Sequence, residues 1–168
     1  MTDPTVLILM GSDSDLPTME ETAKVLTEFG VPFEMRISSA HRCPERTAKL
    51  AGEAAGRGVQ IIIAAAGMAA HLAGVVAAAT TLPVIGVPMM GGGLNGVDAL
   101  YSTVQMPGGI PVATMAIGKS GAKNAGIFAV QILSLGNPDL RSKLAEHRAQ
   151  MALEVEQKDQ VLQAVQRS

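Results

Sequence analysis

Apolar positions along the chain follow two rhythms that alternate from Val6 to Leu135. The short unbroken runs Val6 to Met10, Gln60 to Ala66 and Pro83 to Val87 have the length of parallel strands covered on both faces. Phe33-Glu34-Met35-Arg36-Ile37 instead alternates apolar with charged residues, as a strand with one drier face at a sheet edge does. Pro111 to Ala116 is a fifth candidate strand. Between these runs the spacing turns helical. Leu16, Met19, Ala23, Leu26 and Phe29 form one stripe, with Pro17 in its first turn and Gly30 at its stop. Further helices are expected from Pro44 to Arg57, Leu72 to Ala79, Gly96 to Val104 and Ala122 to Leu135.

Strands alternating with helices predict a parallel sheet. Right-handed crossovers then make a flavodoxin-like three-layer α/β/α sandwich, with a central five-stranded parallel sheet, the simplest topology. After Gly136-Asn137-Pro138 a long C-terminal helix is expected from Asp139 to about Gln166. Residues 1–138 thus read as the main domain and 139–168 as a helical extension. Its narrow stripe of Leu140, Leu144, Met151, Val155 and Leu162 suits a neighbouring subunit.

Composition narrows the partners. The 13 basic and 15 acidic side chains nearly cancel, so no basic face points to nucleic acid, and a small molecule is the expected ligand. No apolar run reaches membrane-spanning length, and the N-terminus lacks a basic export signal, so the cytoplasm is the expected compartment. Cys43 is the single cysteine, which excludes an internal disulfide and a cysteine-based zinc cluster and fits a reducing compartment. Its expected role is that of a bystander. With 2% aromatic residues and 10 Met, the core elements must approach closely with little bulk between them.

The ionisable groups best suited to chemistry gather in Ser38-Ser39-Ala40-His41-Arg42-Cys43-Pro44, at the carboxyl end of the second strand. Ligands bind at that edge of an open α/β sheet. An imidazole exchanges protons near neutral pH, and the adjacent Arg42 stays cationic, a pairing that suits proton transfer on an anionic substrate. Gly11-Ser12-Asp13-Ser14-Asp15 follows the first strand, where N–H groups and hydroxyls can hold phosphate and a carboxylate can accept from ribose. The same residues also suit a plain helix cap, and spacing does not separate the two readings. His71 closes a small-residue turn after the third strand, where it can cap a helix, meet a subunit contact or touch ligand. His147 lies on the polar tail helix and reads as part of a solvated face. Histidines this scattered predict no metal site. The Gly11 turn is not GxGxxG and no Walker pattern is present, aromatics for stacking a flavin are scarce, and Gly67-Met68 stands where a phospho-receiver needs an aspartate. Gly67 and its alanine neighbours suggest a tight, backbone-lined slot instead.

Four segments together resemble the bacterial PurE family, the N5-carboxyaminoimidazole ribonucleotide mutases of purine biosynthesis. These are Gly11-Ser12-Asp13-Ser14-Asp15, Ser39-Ala40-His41-Arg42-Cys43-Pro44, Ala69-Ala70-His71-Leu72 and the stretch from Gln105 to Thr114. The likeness runs from about Val6 to Leu133, and the Ser-Ala-His-Arg loop resembles the mutase class rather than the class that carboxylates aminoimidazole ribonucleotide directly. The resemblance implies a homo-octamer of flavodoxin-like subunits with no metal and no organic cofactor. It implies His41 as the acid-base residue and Ser12, Asp15 and Arg42 as ribonucleotide-binding residues. Ser39, Ala40 and the Gly67 turn are implied close to the substrate, and His71 is placed among the binding residues. The chain departs from the family pattern at Ala65-Ala66-Gly67-Met68, at Ala73, at Ala79 and in the bare Gly91-Gly92-Gly93 loop. Rival readings are a direct carboxylase of the same fold and a non-catalytic nucleotide-binding oligomer.

Overall fold

In the computed structural model, which describes residues 3–166, β1 (Val6–Met10) is buried along its whole length. β3 (Ile61–Ala66) lies beside it and β4 (Val84–Pro88) beside β3, both buried, whereas β2 (Phe33–Ile37) on the other side of β1 is half-buried and ends exposed. All pairings are parallel, in the order β2-β1-β3-β4-β5 with β5 (Ala113–Thr114) at the far edge, and Met10 is in register with both Ile37 and Ala65. The alternating strand therefore does occupy an edge, and the continuous apolar runs occupy the centre. β5 is shorter than its sequence pattern predicts. Only Ala113–Thr114 pairs, because Pro111 has no N–H to give the ladder.

Helices cover both faces. On one, Leu7, Leu9, Ile62 and Ala64 pack with Ala51 of α2 (Pro44–Gly52) and Leu72, Ala73 and Val76 of α3 (Leu72–Ala78). Each large aliphatic side chain fully buried there contributes about 1.5–3 kcal/mol. α4 (Val97–Val104) lies on the same side, since a Cβ on Gly86 of β4 would stand 2.5 Å from Thr103 Cγ2 and 3.4 Å from Ala73 Cβ. On the other face α1 (Leu16–Phe29) packs against the start of α5 (Lys119–Ser134), where Thr22 Oγ1 donates to the carbonyl of Ala122 at 2.6 Å. Gly126 allows this closeness, because an added Cβ would meet Val25 Cβ at 2.9 Å. The sparse aromatic content is thus matched by close backbone approach.

Two helix boundaries depart from the periodicity. α1 stops as expected at Gly30, whose φ of 72° lets its N–H reach back to Leu26 O. α2 does not run on to Arg57. It ends at Gly52, and Ala55–Arg57 forms a separate 3₁₀ turn closed by Gly58 at φ 87°. Gly52 and Gly56 weaken a continuous helix by about 1 kcal/mol each relative to alanine.

The chain divides into two compact units, one up to Ala129 and one from Val130 onward. The second holds α6 (Pro138–Gln166), capped by the Asn137 side chain, which accepts the N–H groups of Asp139 at 3.1 Å and Leu140 at 3.2 Å. Of the predicted α6 stripe, Leu140 is buried and Leu144 half-buried, whereas Met151, Val155 and Leu162 are exposed. His147 is half-buried rather than on a solvated face. Among the described residues no helix is long and apolar enough to cross a membrane.

Candidate active site

The carboxyl ends of β1, β2, β3 and β4 open into one cavity of about 650 Å³. It lies where the chain, having placed β2 on one side of β1, returns to place β3 on the other, the crevice such sheets offer to ligands. Backbone bonds continue the strand alignment into the turns: Ser38 N–H to Met10 O at 2.8 Å, Gly11 N–H to Ala65 O at 3.0 Å and Met89 N–H to Ala66 O at 2.8 Å. The turns are therefore mounted on the sheet itself.

Ser12, Asp15, Ser39, Ala40, His41, Arg42, Gly67 and His71, singled out from the sequence, all line this cavity. After β1, the Ser12 N–H donates to Asp15 Oδ2 at 3.0 Å while Ser12 Oγ accepts the N–H of Ser14 at 3.3 Å. This is a capping box on a 3₁₀ turn, Asp13–Asp15. The capping reading of the motif and its place on the cavity wall thus hold together. Asp15 is buried, which pushes its carboxyl above the ordinary value despite the Ser12 and Gly11 N–H groups that favour the anion.

After β2, Arg42 ties two turns together. Its Nη2 donates to Gly11 O at 3.1 Å, and its Nε and backbone N–H reach Ser39 Oγ at 3.4 and 3.2 Å. Cys43, expected to be a bystander, instead clamps this turn. Its Sγ accepts the Ser39 N–H at 3.2 Å and donates to Ser39 O at 3.2 Å, and the Ser38 hydroxyl beside it lowers the thiol below its usual range. Ser38 is buried and shares a 2.9 Å hydrogen bond with Thr47, whose hydroxyl returns to Cys43 O. The turn is held from beneath.

His41 and His71 come from different turns and meet at 2.7 Å, Nε2 to Nδ1, with their rings edge-to-face at 89°. One nitrogen donates and the other accepts, so each ring fixes which nitrogen of its partner carries hydrogen. Both rings are exposed to the cavity. Two imidazoles, a guanidinium, a carboxylate and the hydroxyls of Ser12, Ser14 and Ser39 therefore surround one small space.

On the opposite side of the cavity the sequence singles out only Gly67 and His71. Met68, Met89, Met90, Gly91 and Gly92 line it. The Ser102 hydroxyl of α4 braces this side, accepting the Ala70 N–H at 2.9 Å and lying 3.3 Å from Met68 O. The one available signal was position, since the loop after β4 lies beside the turn after β3 in any sheet of this order.

A family model described as AIR carboxylase matches residues 5–154. A Synechocystis protein named N5-carboxyaminoimidazole ribonucleotide mutase is 61% identical over 150 residues, covering 88% of this chain and 84% of that one. Its Thermotoga maritima namesake is 52% identical over 162 residues, covering 96% and 94%. The crystal structure of Treponema denticola PurE superposes with a TM-score of 0.84 at 30% identity, covering 93% of this chain and 96% of that one. Sheet order, the cavity over its carboxyl edge and similarity along nearly the whole sequence agree: the chain belongs to the AIR carboxylase family.

Proposed function

We propose that the protein converts N5-carboxyaminoimidazole ribonucleotide to 4-carboxy-5-aminoimidazole ribonucleotide in purine biosynthesis. The observation that carries this reading is the convergence of His41, Arg42, Ser12 and Asp15 on one cavity, in a chain more than half identical to proteins named for that mutase activity. Protonated His41 delivers its proton to N5 as the N–C bond breaks and carbon dioxide leaves. C4 attacks the retained carbon dioxide, a C–C bond forms, and neutral His41 removes the C4 proton. One imidazole serves both steps because it ends the cycle as it began. General acid-base help of this kind is worth about 10²- to 10⁴-fold in rate, and retention of carbon dioxide adds a proximity term.

Arg42 and the Ser12 turn bind the phosphoribosyl part, with the Asp15 carboxylate accepting from ribose. Ser39 already accepts from Arg42, so it acts by aiming that cation. Ala40 and Gly67 keep the walls thin, and His71 orients His41. The reaction needs no metal or organic cofactor. We further assign the chain to a homo-octamer in the cytoplasm. Self-association is supported by Val97, Tyr101 and Val104, exposed at i, i+4 and i+7 on α4.

The experiment offers the purified protein N5-carboxyaminoimidazole ribonucleotide, and separately aminoimidazole ribonucleotide with bicarbonate. Rapid conversion of the first and slow conversion of the second is expected. The opposite preference would make the protein a direct carboxylase, and binding without turnover of either would make it a sensor.

A further inference from the structure

Among the described residues only Met68 and Asn95 adopt positive φ without being glycine, at 56° and 49°. Asparagine tolerates the left-handed region because its short amide bonds locally; methionine gains nothing of the kind. A side chain kept there against its backbone preference marks a place where the surroundings require it. Met68 opens the turn that ends in His71, whose N–H bonds back to Ala69 O at 2.9 Å and whose ring meets His41.

The Met68 side chain leans on the loop after β4. A Cβ on Gly92 would stand 3.3 Å from Met68 Cγ, and Gly92 itself has φ 65°. One residue earlier, a Cβ on Gly67 would meet Met89 Cβ at 3.4 Å. The two turns therefore touch at successive positions, and the loop contributes no side chain from Gly91, Gly92 or Gly93 to close the gap. Met68, itself on the cavity wall, supplies that bulk from the other turn, and the Ser102 hydroxyl lies 3.3 Å from its carbonyl. Its thioether stem is apolar, flexible and without a proton to give.

We propose that Met68 is the retention wall of the cavity, holding carbon dioxide against the substrate ring between its release from N5 and its capture at C4. This rests on the mutase reading above. Carbon dioxide carries no charge or hydrogen for the polar turns to grip, so a surface that excludes water and blocks the exit is what keeps it in place.

The test supplies N5-carboxyaminoimidazole ribonucleotide in buffer equilibrated with ¹³C-bicarbonate. It reads two quantities, the ¹³C content of the 4-carboxy product and the fraction of substrate released as aminoimidazole ribonucleotide. The unaltered protein is expected to transfer its own unlabelled carboxylate. Met68→Gly, which suits the left-handed backbone, and Met68→Ala, which keeps the unfavourable backbone but loses the wall, are both expected to raise label and leakage by about tenfold. Met68→Leu, which restores apolar bulk, should return both towards the unaltered protein. Thermal melting checks that each variant is folded. Unchanged label and leakage in active Met68→Gly and Met68→Ala would overturn the assignment while leaving the mutase reading intact. An unaltered protein that fails to convert the substrate at all would overturn the mutase reading itself.

Discussion

The two sides of the cavity are built on opposite principles. The turns after β1 and β2 are cross-bonded by side chains: Ser12 with Asp15, Arg42 with Gly11 and Ser39, Cys43 with Ser39. Apart from the His71 ring, which reaches across to His41, the turns after β3 and β4 offer the cavity mainly small residues and methionines, and their form depends on positive φ at Met68 and Gly92 and on one hydroxyl from α4. The first side presents charge and transferable protons, with their geometry set before any ligand arrives. The second presents shape. A reaction that must grip an anion and also confine a neutral gas needs both kinds of surface.

Substitutions on the polar side sharpen the contrast. The largest effect is expected from His41→Asn, which keeps a polar group of similar size but cannot exchange the proton. Turnover should fall by about 10²- to 10⁴-fold or more while nucleotide affinity, measured by calorimetry, stays near that of the unaltered protein. Arg42→Ala comes next. Loss of a hydrogen bond to a charged group, about 1.5–3 kcal/mol, predicts roughly 10- to 150-fold weaker substrate binding with a smaller effect on the bound reaction. An Arg42 variant that bound normally would move the phosphate away from this turn.

The smallest effect is expected from Asp15→Asn, and it concerns stability. Burial raises the Asp15 carboxyl in the folded protein, so the folded state holds this proton more tightly than the unfolded chain does. Its favourable contribution is complete below the unfolded value, about 3.9, and is lost as pH rises through the raised folded value. At neutral pH the buried anion is therefore a cost. Asp15→Asn should raise the melting temperature by a few degrees at pH 7–8, and the gain should shrink as pH falls through the carboxylate range. Weaker ribonucleotide binding should accompany the gain. Equal melting at all pH values would place the raised carboxyl elsewhere.

The same contrast decides what the sequence disclosed. Apolar runs of five or six residues mark buried strands directly, and Ser, Asp, His and Arg beside their ends mark polar turns, so the sheet and the first side of the cavity were legible. On the second side only Gly67 and His71 could be picked out, because Met68 carries no chemical signature and its meaning lies in a backbone angle. Residues distant in sequence also escape such a reading. Nothing along the chain links Ser102 to Ala70, 32 positions away, until α4 is packed on the sheet. The early end of α2 and the short β5 were missed for a plainer reason, since glycine and proline weaken an element without stating where it breaks.

Gly86 never touches the cavity, yet its missing side chain is what lets Thr103 settle 2.5 Å from where a Cβ would be. Thr103 is the chain neighbour of Ser102, so the bare backbone in the middle of β4 sets how far α4 stands off the sheet and where its hydroxyl arrives. A mutational library confined to residues that face substrate would pass over this position. Random mutagenesis would find it, as a site where adding a single methyl group disturbs chemistry one layer away.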